Sequence, residues 1–300
     1  MPLRKILFQP GVNKEGTEYS ADAGWYDSDK VRFRKGRPEK IGGWSKYSPE
    51  SFLGVCRSIH DWASLESIRY IGLGTHLKFY VNEGSSFNDV TPIRSTTSAG
   101  DVTFSATNGS STITATDTSH GATVNDFVTF SGSASLGGNV TAAVLNLEYQ
   151  IASVPTANTF TFVAKDSNGN TITANASDSG NGGSSVVGAY QISTGLNTYL
   201  EGTGWGADTF GAGTFGSSSA ISSSNQLRLY TQDNFGEDLI FNVRGGGVYY
   251  WDESSGTSAR AVDLSSLSSP SNTPTGALQV MVSDIDQHVI CFGVNAIGSS

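Results

Sequence analysis

Cysteine is scarce in this 300-residue chain. Cys56 and Cys291 stand far apart, and one remote pair makes no disulfide framework, so two free thiols in a reducing compartment are expected. Apolar positions at helical spacing over three turns are missing, which argues against a helical protein. No apolar run reaches the length of a membrane-spanning helix. Arg4 and Lys5 open like a secretion signal, yet "ILF" runs at once into Gln9, Pro10 and Gly11, leaving no apolar core for one. A soluble chain made in a cytoplasm is the expectation. The Asn-x-Ser/Thr triplets at Asn108, Asn139 and Asn175 then have no route to glycosylation.

Charge is also sparse, at 15% of residues, and unevenly spread. Ten of the 18 basic residues and six acids fall within residues 1–46, about +4 by count. With a net charge of −9, the remainder carries −13. An acidic body repels the nucleic-acid backbone, so general DNA binding is disfavoured.

What the chain does have is glycine, 36 residues of it, with abundant Ser, Thr and Asn. This mix suits many short strands joined by turns. Residues 1–91 are aromatic and charged, residues from about 92 to 190 are rich in Thr, Ser, Asn and Gly, and the first style returns in 191–300. One domain interrupted by another is expected: an N-terminal core part with a basic strand at 1–91, an inserted β-sandwich-like domain at 92–190, and the returning core at 191–300.

The flanks hold a degenerate repeat. "IRYIGLGTHLKFYVNEG" (68–84) and "DLIFNVRGGGVYYWDESSG" (238–256) share the order strand, Gly-containing turn, aromatic strand, acid-and-Gly turn. "HVICFGVNAIGSS" (288–300) begins it again, while "RSIHDWAS" (57–64) and "NQLRLYTQDNFG" (225–236) precede the first two. Repetition of small antiparallel sheets around an axis is the β-propeller solution to exposed edges. The predicted fold is all-β, a propeller-like core with an inserted small β-domain.

In the insert, residues 111–117, 126–132, 149–154, 159–166 and 170–176 read as strands, and "KDSNGNTI" (165–172) as a hairpin. "DSNGN" resembles the start of a calcium loop, but the later ligands are missing. "SDSGNGGSSVVG" (177–188) reads as a flexible exit linker. "WGADTFGAGTFGSSS" (205–219) reads as a loop pinned by Trp205, Phe210 and Phe215.

Chemistry is thin. His60, His76, His120 and His288 show no metal-ligand spacing, and His60–Asp61 has no nucleophile elbow for company. Glu237 and Asp238 could supply glycosidase carboxylates, yet they follow Gly236 at a strand start, where acids cap turns. No catalytic, metal or cofactor set is expected, and the protein is read as a non-enzyme. Gly245, Gly246 and Gly247 read as a structural hairpin turn, with positive φ at one or two positions. An anion nest is disfavoured because a strand follows, not a helix start.

The stretch "LFQPGVNKEGTEYSADAGWYDSDKVRFRKGRPEKIGGW" (7–44), together with "NFGEDLIFNVRGGGVYYWD" (234–252), resembles the tail nozzle, or tail tubular, proteins of short-tailed bacteriophages. The matching pieces are Pro10–Asn13, Gly24–Trp44 and Asn234–Asp252; Phe241 and Val243 depart from the expected wording before the glycines. The resemblance implies a structural virion protein that forms a ring with itself, typically six-fold, below a portal-proximal adaptor ring. It also implies neighbouring tail-fibre or tail-tip proteins, genomic DNA passing through the lumen without specific binding, and a place in the virion tail after assembly in the bacterial cytoplasm. Such chains usually exceed 300 residues. Three unit starts are too few for four to eight blades, so more chain or another subunit must complete the ring. A tail-tip adhesin binding receptor or glycan through the insert is the alternative, and a wall-degrading glycosidase a third reading.

The basic run "DKVRFRKGRPEK" (29–40) supplies the subunit-interface candidates Lys30, Arg32, Arg34, Lys35 and Arg37. Alternation puts Lys30, Arg32 and Arg34 on one face and Val31, Phe33 and Lys35 on the other, with a turn at Gly36–Pro38. A solvated edge strand blunted by charge explains the run equally well.

Overall fold

The structure, a computed structural model, describes residues 8–17, 19, 23–195, 227–267, 273–283 and 285–294. Nearly all of its regular elements are strands, and the α-helix, Ala142–Leu145, is a single turn capped by Thr141. The fold is all-β. The chain divides into two compact units, residues 1–49 and 50–300, where the sequence reading joins 1–91.

In the first unit, β1 (Val31–Arg34) and β2 (Arg37–Lys40) pair as an antiparallel hairpin. Its turn is Lys35–Gly36, at φ 50° and 75°, the mirror-image turn whose twist suits paired strands. The expected turn at Gly36–Pro38 is thus corrected: Pro38 lies inside β2, opposite Phe33. Ile41 N–H donates to the Lys30 carbonyl at 2.9 Å. That fixes the ladder's parity, so Arg32–Glu39 is a hydrogen-bonded pair and Phe33–Pro38 is not. The missing N–H of Pro38 therefore falls on the outer edge, where it costs the hairpin nothing and blunts that edge. Trp25 packs against Phe33 and Phe8, with centroids 6.1 and 5.9 Å apart, and backs a hairpin that would be marginal alone.

The second unit opens with β3 (Cys56–Ala63), β4 (Arg69–Thr75), β5 (Phe79–Glu83) and β6 (Ser86–Asp89), an antiparallel sheet in chain order. The insert follows: β7 (Ile93–Thr96), β8 (Thr103–Ala106), β9 (Thr112–Thr116), β10 (Phe127–Ser131), β11 (Glu148–Gln150), β12 (Ser153–Thr156), β13 (Thr159–Val163), β14 (Asp178–Asn181) and β15 (Val187–Gln191). These form a four-stranded sheet, β11-β10-β15-β7, and a five-stranded one, β12-β13-β9-β8-β14. The two sheets enclose a core of their own, with Phe104, Phe130, Phe160 and Phe162 at its centre; burying each phenyl is worth about 1.5–3 kcal/mol. Strict alternation, as in Thr159–Val163, puts Phe160 and Phe162 inward and threonines outward, the pattern of a two-layer sandwich.

Two expectations for the insert fail. Residues 177–188 are not a linker: β14 pairs with β8, and β15 sits between β7 and β10. Gly182 turns there at φ 121°, and a Cβ on it would lie 2.6 Å from the Phe104 ring. Gly182 serves packing beneath an aromatic. Residues 170–176 form no strand, only an isolated Lys165–Thr171 bridge. It closes the "KDSNGNTI" turn, where the Asp166 carboxylate accepts the N–H groups of Asn168 and Asn170. The insert begins and ends side by side, with Ile93 paired to Gln191 and Ile192 N–H donating to the Pro92 carbonyl at 3.0 Å.

After the insert, β16 (Tyr230–Phe235), β17 (Asp238–Val243), β18 (Val248–Trp251) and β19 (Val262–Asp263) make another sheet in chain order, and β20 (Gln279–Val282) and β21 (Val289–Phe292) a two-stranded one. The sheets stack face to face. Leu239, Phe241 and Val243 pack with Trp62, Tyr70, Phe79 and Val81 of the first sheet. From the other face of β17, Ile240 packs with Val280 and Val282. Both faces of β17 are buried from Leu239 to Val243, and Asn242, the polar residue within that run, donates its amide to the Val243 and Ala277 carbonyls at 3.2 and 2.7 Å. Gly72 and Gly74 leave room for Gln232 and Tyr230, whose atoms would lie 2.4 and 2.5 Å from an added Cβ. The Trp205–Phe215 loop and the end of the third repeat lie outside the described residues.

Candidate functional site

The basic hairpin is the first candidate. Val31 and Phe33 are half-buried and Arg32 and Arg34 exposed, as alternation requires. Lys30 and Lys35 stand just outside β1, at positive φ of 55° and 50°. Arg37 is exposed at the start of β2. Arg32 meets Glu39 directly across the hairpin at 3.3 Å, both half-exposed, a pair worth about 0–1 kcal/mol. Lys30 lies 3.8 Å from Asp29. Among the described residues, no ion pair engages Arg34, Lys35 or Arg37. The first unit also exposes apolar bulk: Trp44 fully, Tyr47 by 67% and Ile41 by 49%. Exposed aromatics and unpaired guanidinium groups in one small unit are the composition of a contact surface.

The triple-glycine turn resolves residue by residue. Gly245 takes φ 76°. Gly246 bridges to Ala277: its carbonyl accepts the Ala277 N–H at 2.9 Å, and its own N–H donates to the Val243 carbonyl at 2.7 Å. A Cβ on Gly247 would lie 2.7 Å from the Tyr249 hydroxyl oxygen. One position thus needs positive φ and the other two need close approach. Gly245 N–H donates to the Ala277 carbonyl and Arg244 N–H to that of Leu229, so the donors of an anion nest are already spent.

Glu237 and Asp238 are occupied in the same way. Glu237 takes the Leu65 N–H on its carboxylate and the Trp62 indole N–H on its carbonyl, the latter at 2.8 Å. Asp238 accepts the Tyr250 hydroxyl at 2.5 Å and the Glu253 N–H at 2.9 Å. These bonds join the β3–β6 sheet to the β16–β19 sheet and close the β18 end. The histidines are scattered. His60 stacks on Trp62 in β3, His76 accepts the Val55 N–H at 2.8 Å, and His120 is buried in the insert against Phe160. His288 precedes β21. No group of three or more His, Cys, Asp or Glu among the described residues could hold a metal ion. Cys56 is exposed and Cys291 half-buried, both free thiols. No described helix is long and apolar enough to cross a membrane.

The insert's aromatics, Phe104, Phe127, Phe130, Tyr149, Phe160, Phe162 and Tyr190, are all buried. A sugar-binding platform needs ring faces in solvent, so none of these supplies one.

One cluster escaped the sequence reading. Lys78, 3% exposed, donates to Asp89 at 2.7 Å and to Glu148 of the insert. Arg260, from the segment between β18 and β19, reaches the same two carboxylates at 3.3 and 3.4 Å. Its other amino group donates to the Thr91 carbonyl at 2.7 Å. Gln191 donates to Glu148, Thr91 to Asp89, and the Phe127 ring lies 4.5 Å from the Lys78 ammonium. Burial alone would raise the Asp89 carboxyl; the Lys78 and Arg260 charges and the bonds from Lys78 and Thr91 outweigh it and hold it below the usual range. A lysine amid the apolar run "LKFYV" was the signal, but its two carboxylates lie 11 and 70 residues away and the Arg260 that shares them 182 residues away.

No protein-family model matches the chain, and no curated protein matches it. Among solved structures the chain is similar to the phage phi92 endosialidase, at 13% identity over 83% of this chain and 35% of that one, with a TM-score of 0.22. The chain thus spans about a third of that protein's length, and a likeness so slight carries no argument.

Proposed function

We propose that this chain is a structural subunit of a short-tailed phage tail, of the nozzle type, with its stacked sheets as successive blades of a propeller-like body. One observation carries the reading: the two motif stretches that resemble nozzle proteins coincide with two distinct pieces of structure. Gly24–Trp44 holds the basic hairpin, and Asn234–Asp252 is the run from the end of β16 through β18, with its glycine turn. The proposed role is assembly, without a catalytic step. In it the hairpin, with Lys30, Arg32, Arg34, Lys35 and Arg37, contacts the acidic surface of a neighbouring copy in a ring, six-fold by resemblance. An acidic lumen lets DNA slide past, and further contacts go to an adaptor ring and tail-tip proteins. Native mass spectrometry and electron microscopy of the purified chain test this. Closed rings support it; a protein that stays monomeric at high concentration, alone and with purified portal complexes, sinks it.

A further inference from the structure

We infer that the inserted β-domain is locked to the sheet stack by the buried charge cluster around Lys78, so that insert and stack move as one body. The connection alone would not ensure this. The insert leaves and rejoins the stack through two adjacent strands, β7 and β15, a geometry that by itself permits pivoting.

Four groups from three places close off the pivot. Lys78 and Asp89 belong to the first sheet and its flanks, Glu148 begins β11 of the insert, and Arg260 comes from the β18–β19 segment. Each cation bonds both carboxylates. Two positive and two negative charges balance, so the cluster needs no outside ion. Lys78 has 4% of its side chain exposed and Glu148 28%. A pivot that parts Glu148 and the Phe127 ring from Lys78 before water can enter would leave a desolvated ammonium short of a partner, which is strongly unfavourable.

A second fastening holds the exit. Thr194 donates to the His76 carbonyl at 3.0 Å, and the buried Arg228 donates to the carbonyls of both His76 and Gly195. Ile192 enters the core shared by the β3–β6 and β16–β19 sheets. Orientation is fixed by side chains on both sides of the connection, beyond what the backbone supplies.

The test is a spin-label distance measurement on the full chain with Cys56→Ser and Cys291→Ala. Labels at Glu66→Cys in the stack and Ala157→Cys in the insert report across the junction; a control pair, Asn108→Cys with Ala157→Cys, lies within the insert. The cross-junction pair should give one narrow distance distribution. Glu148→Gln should widen it at least two-fold while the control pair stays narrow. Arg260→Gln, at a half-exposed position, should widen it less and serves if the first variant does not fold. A broad distribution with the cluster intact overturns the lock. So do folded Glu148→Gln or Arg260→Gln proteins whose distribution is unchanged.

Discussion

The rings of Phe79 and Phe241 lie parallel, 3.8 Å between centroids and 3° between planes. One comes from the first sheet, the other from β17, and both are fully buried. Trp62, Tyr70 and Trp251 extend this aromatic layer toward one end, with centroids 5.4 to 6.2 Å apart. Among the described residues no strand of one sheet pairs with a strand of the other, and this layer fills the space between them.

Phe241→Ala should therefore destabilise the second unit by about 3–5 kcal/mol, from lost transfer energy plus a residual cavity. Phe241→Leu should cost clearly less. Urea titrations of both variants check this, and an alanine cost under about 1 kcal/mol would mean the sheets separate freely.

At the glycine turn the three positions should differ in kind. Gly245→Ala meets a left-handed backbone and should cost about 1–2 kcal/mol. Gly245→Asn should recover part of that, since Asn tolerates this region. Asn should bring no relief at Gly247, where the obstacle is the Tyr249 hydroxyl; there, Tyr249→Phe should ease Gly247→Ala. Melting curves of these variants separate strain from collision.

Two buried carboxyls give opposite acid responses. Asp89 is held below its usual range. It contributes stability above the unfolded value of about 3.9 that is lost as pH falls through the lower folded one. Asp126 is raised by burial, which outweighs its bonds from Thr123 and the Arg94 charge. Its contribution is present below that unfolded value and lost as pH rises through the folded one. Asp89→Asn should therefore weaken the protein at pH 7 and matter progressively less as the pH falls below the unfolded value. Asp126→Asn should be neutral or stabilising at pH 7. Denaturation midpoints across pH 2–7 decide; a loss of stability at pH 7 in Asp126→Asn contradicts the assignment.

Removing residues 93–191 and joining the ends by a two-residue turn should leave the sheet stack folded. The insert encloses its own core, and its ends already lie side by side. Lys78 then reaches solvent, where losing Glu148 is tolerable. A cooperative melting transition is the expected result. Its absence would make the insert part of the folding core.

Arg32→Glu with Arg34→Glu should leave the isolated chain folded, because the Arg32–Glu39 pair is exposed and weak. Self-association should fall. Unchanged oligomers over a range of salt concentrations would return the hairpin to the role of a charge-blunted edge.

The sequence alone determined the all-β class, the alternation that buries Phe160 and Phe162, the exposure of Arg32 and Arg34, and the turn at Gly245–Gly247. These depend on two-residue periodicity and on the backbone freedom of glycine, and both act between near neighbours. Tertiary structure decided the rest. Residues 177–188 look like a linker by composition, yet they complete two sheets, and Gly182 passes under Phe104, a constraint set by a residue about 80 positions earlier. The Lys78 cluster was invisible for the same reason. Nothing near Asp89, Glu148 or Arg260 in sequence shows that they meet. Only the stacking of the sheets, and the side-by-side ends of the insert, bring them to one buried ammonium that must be neutralised.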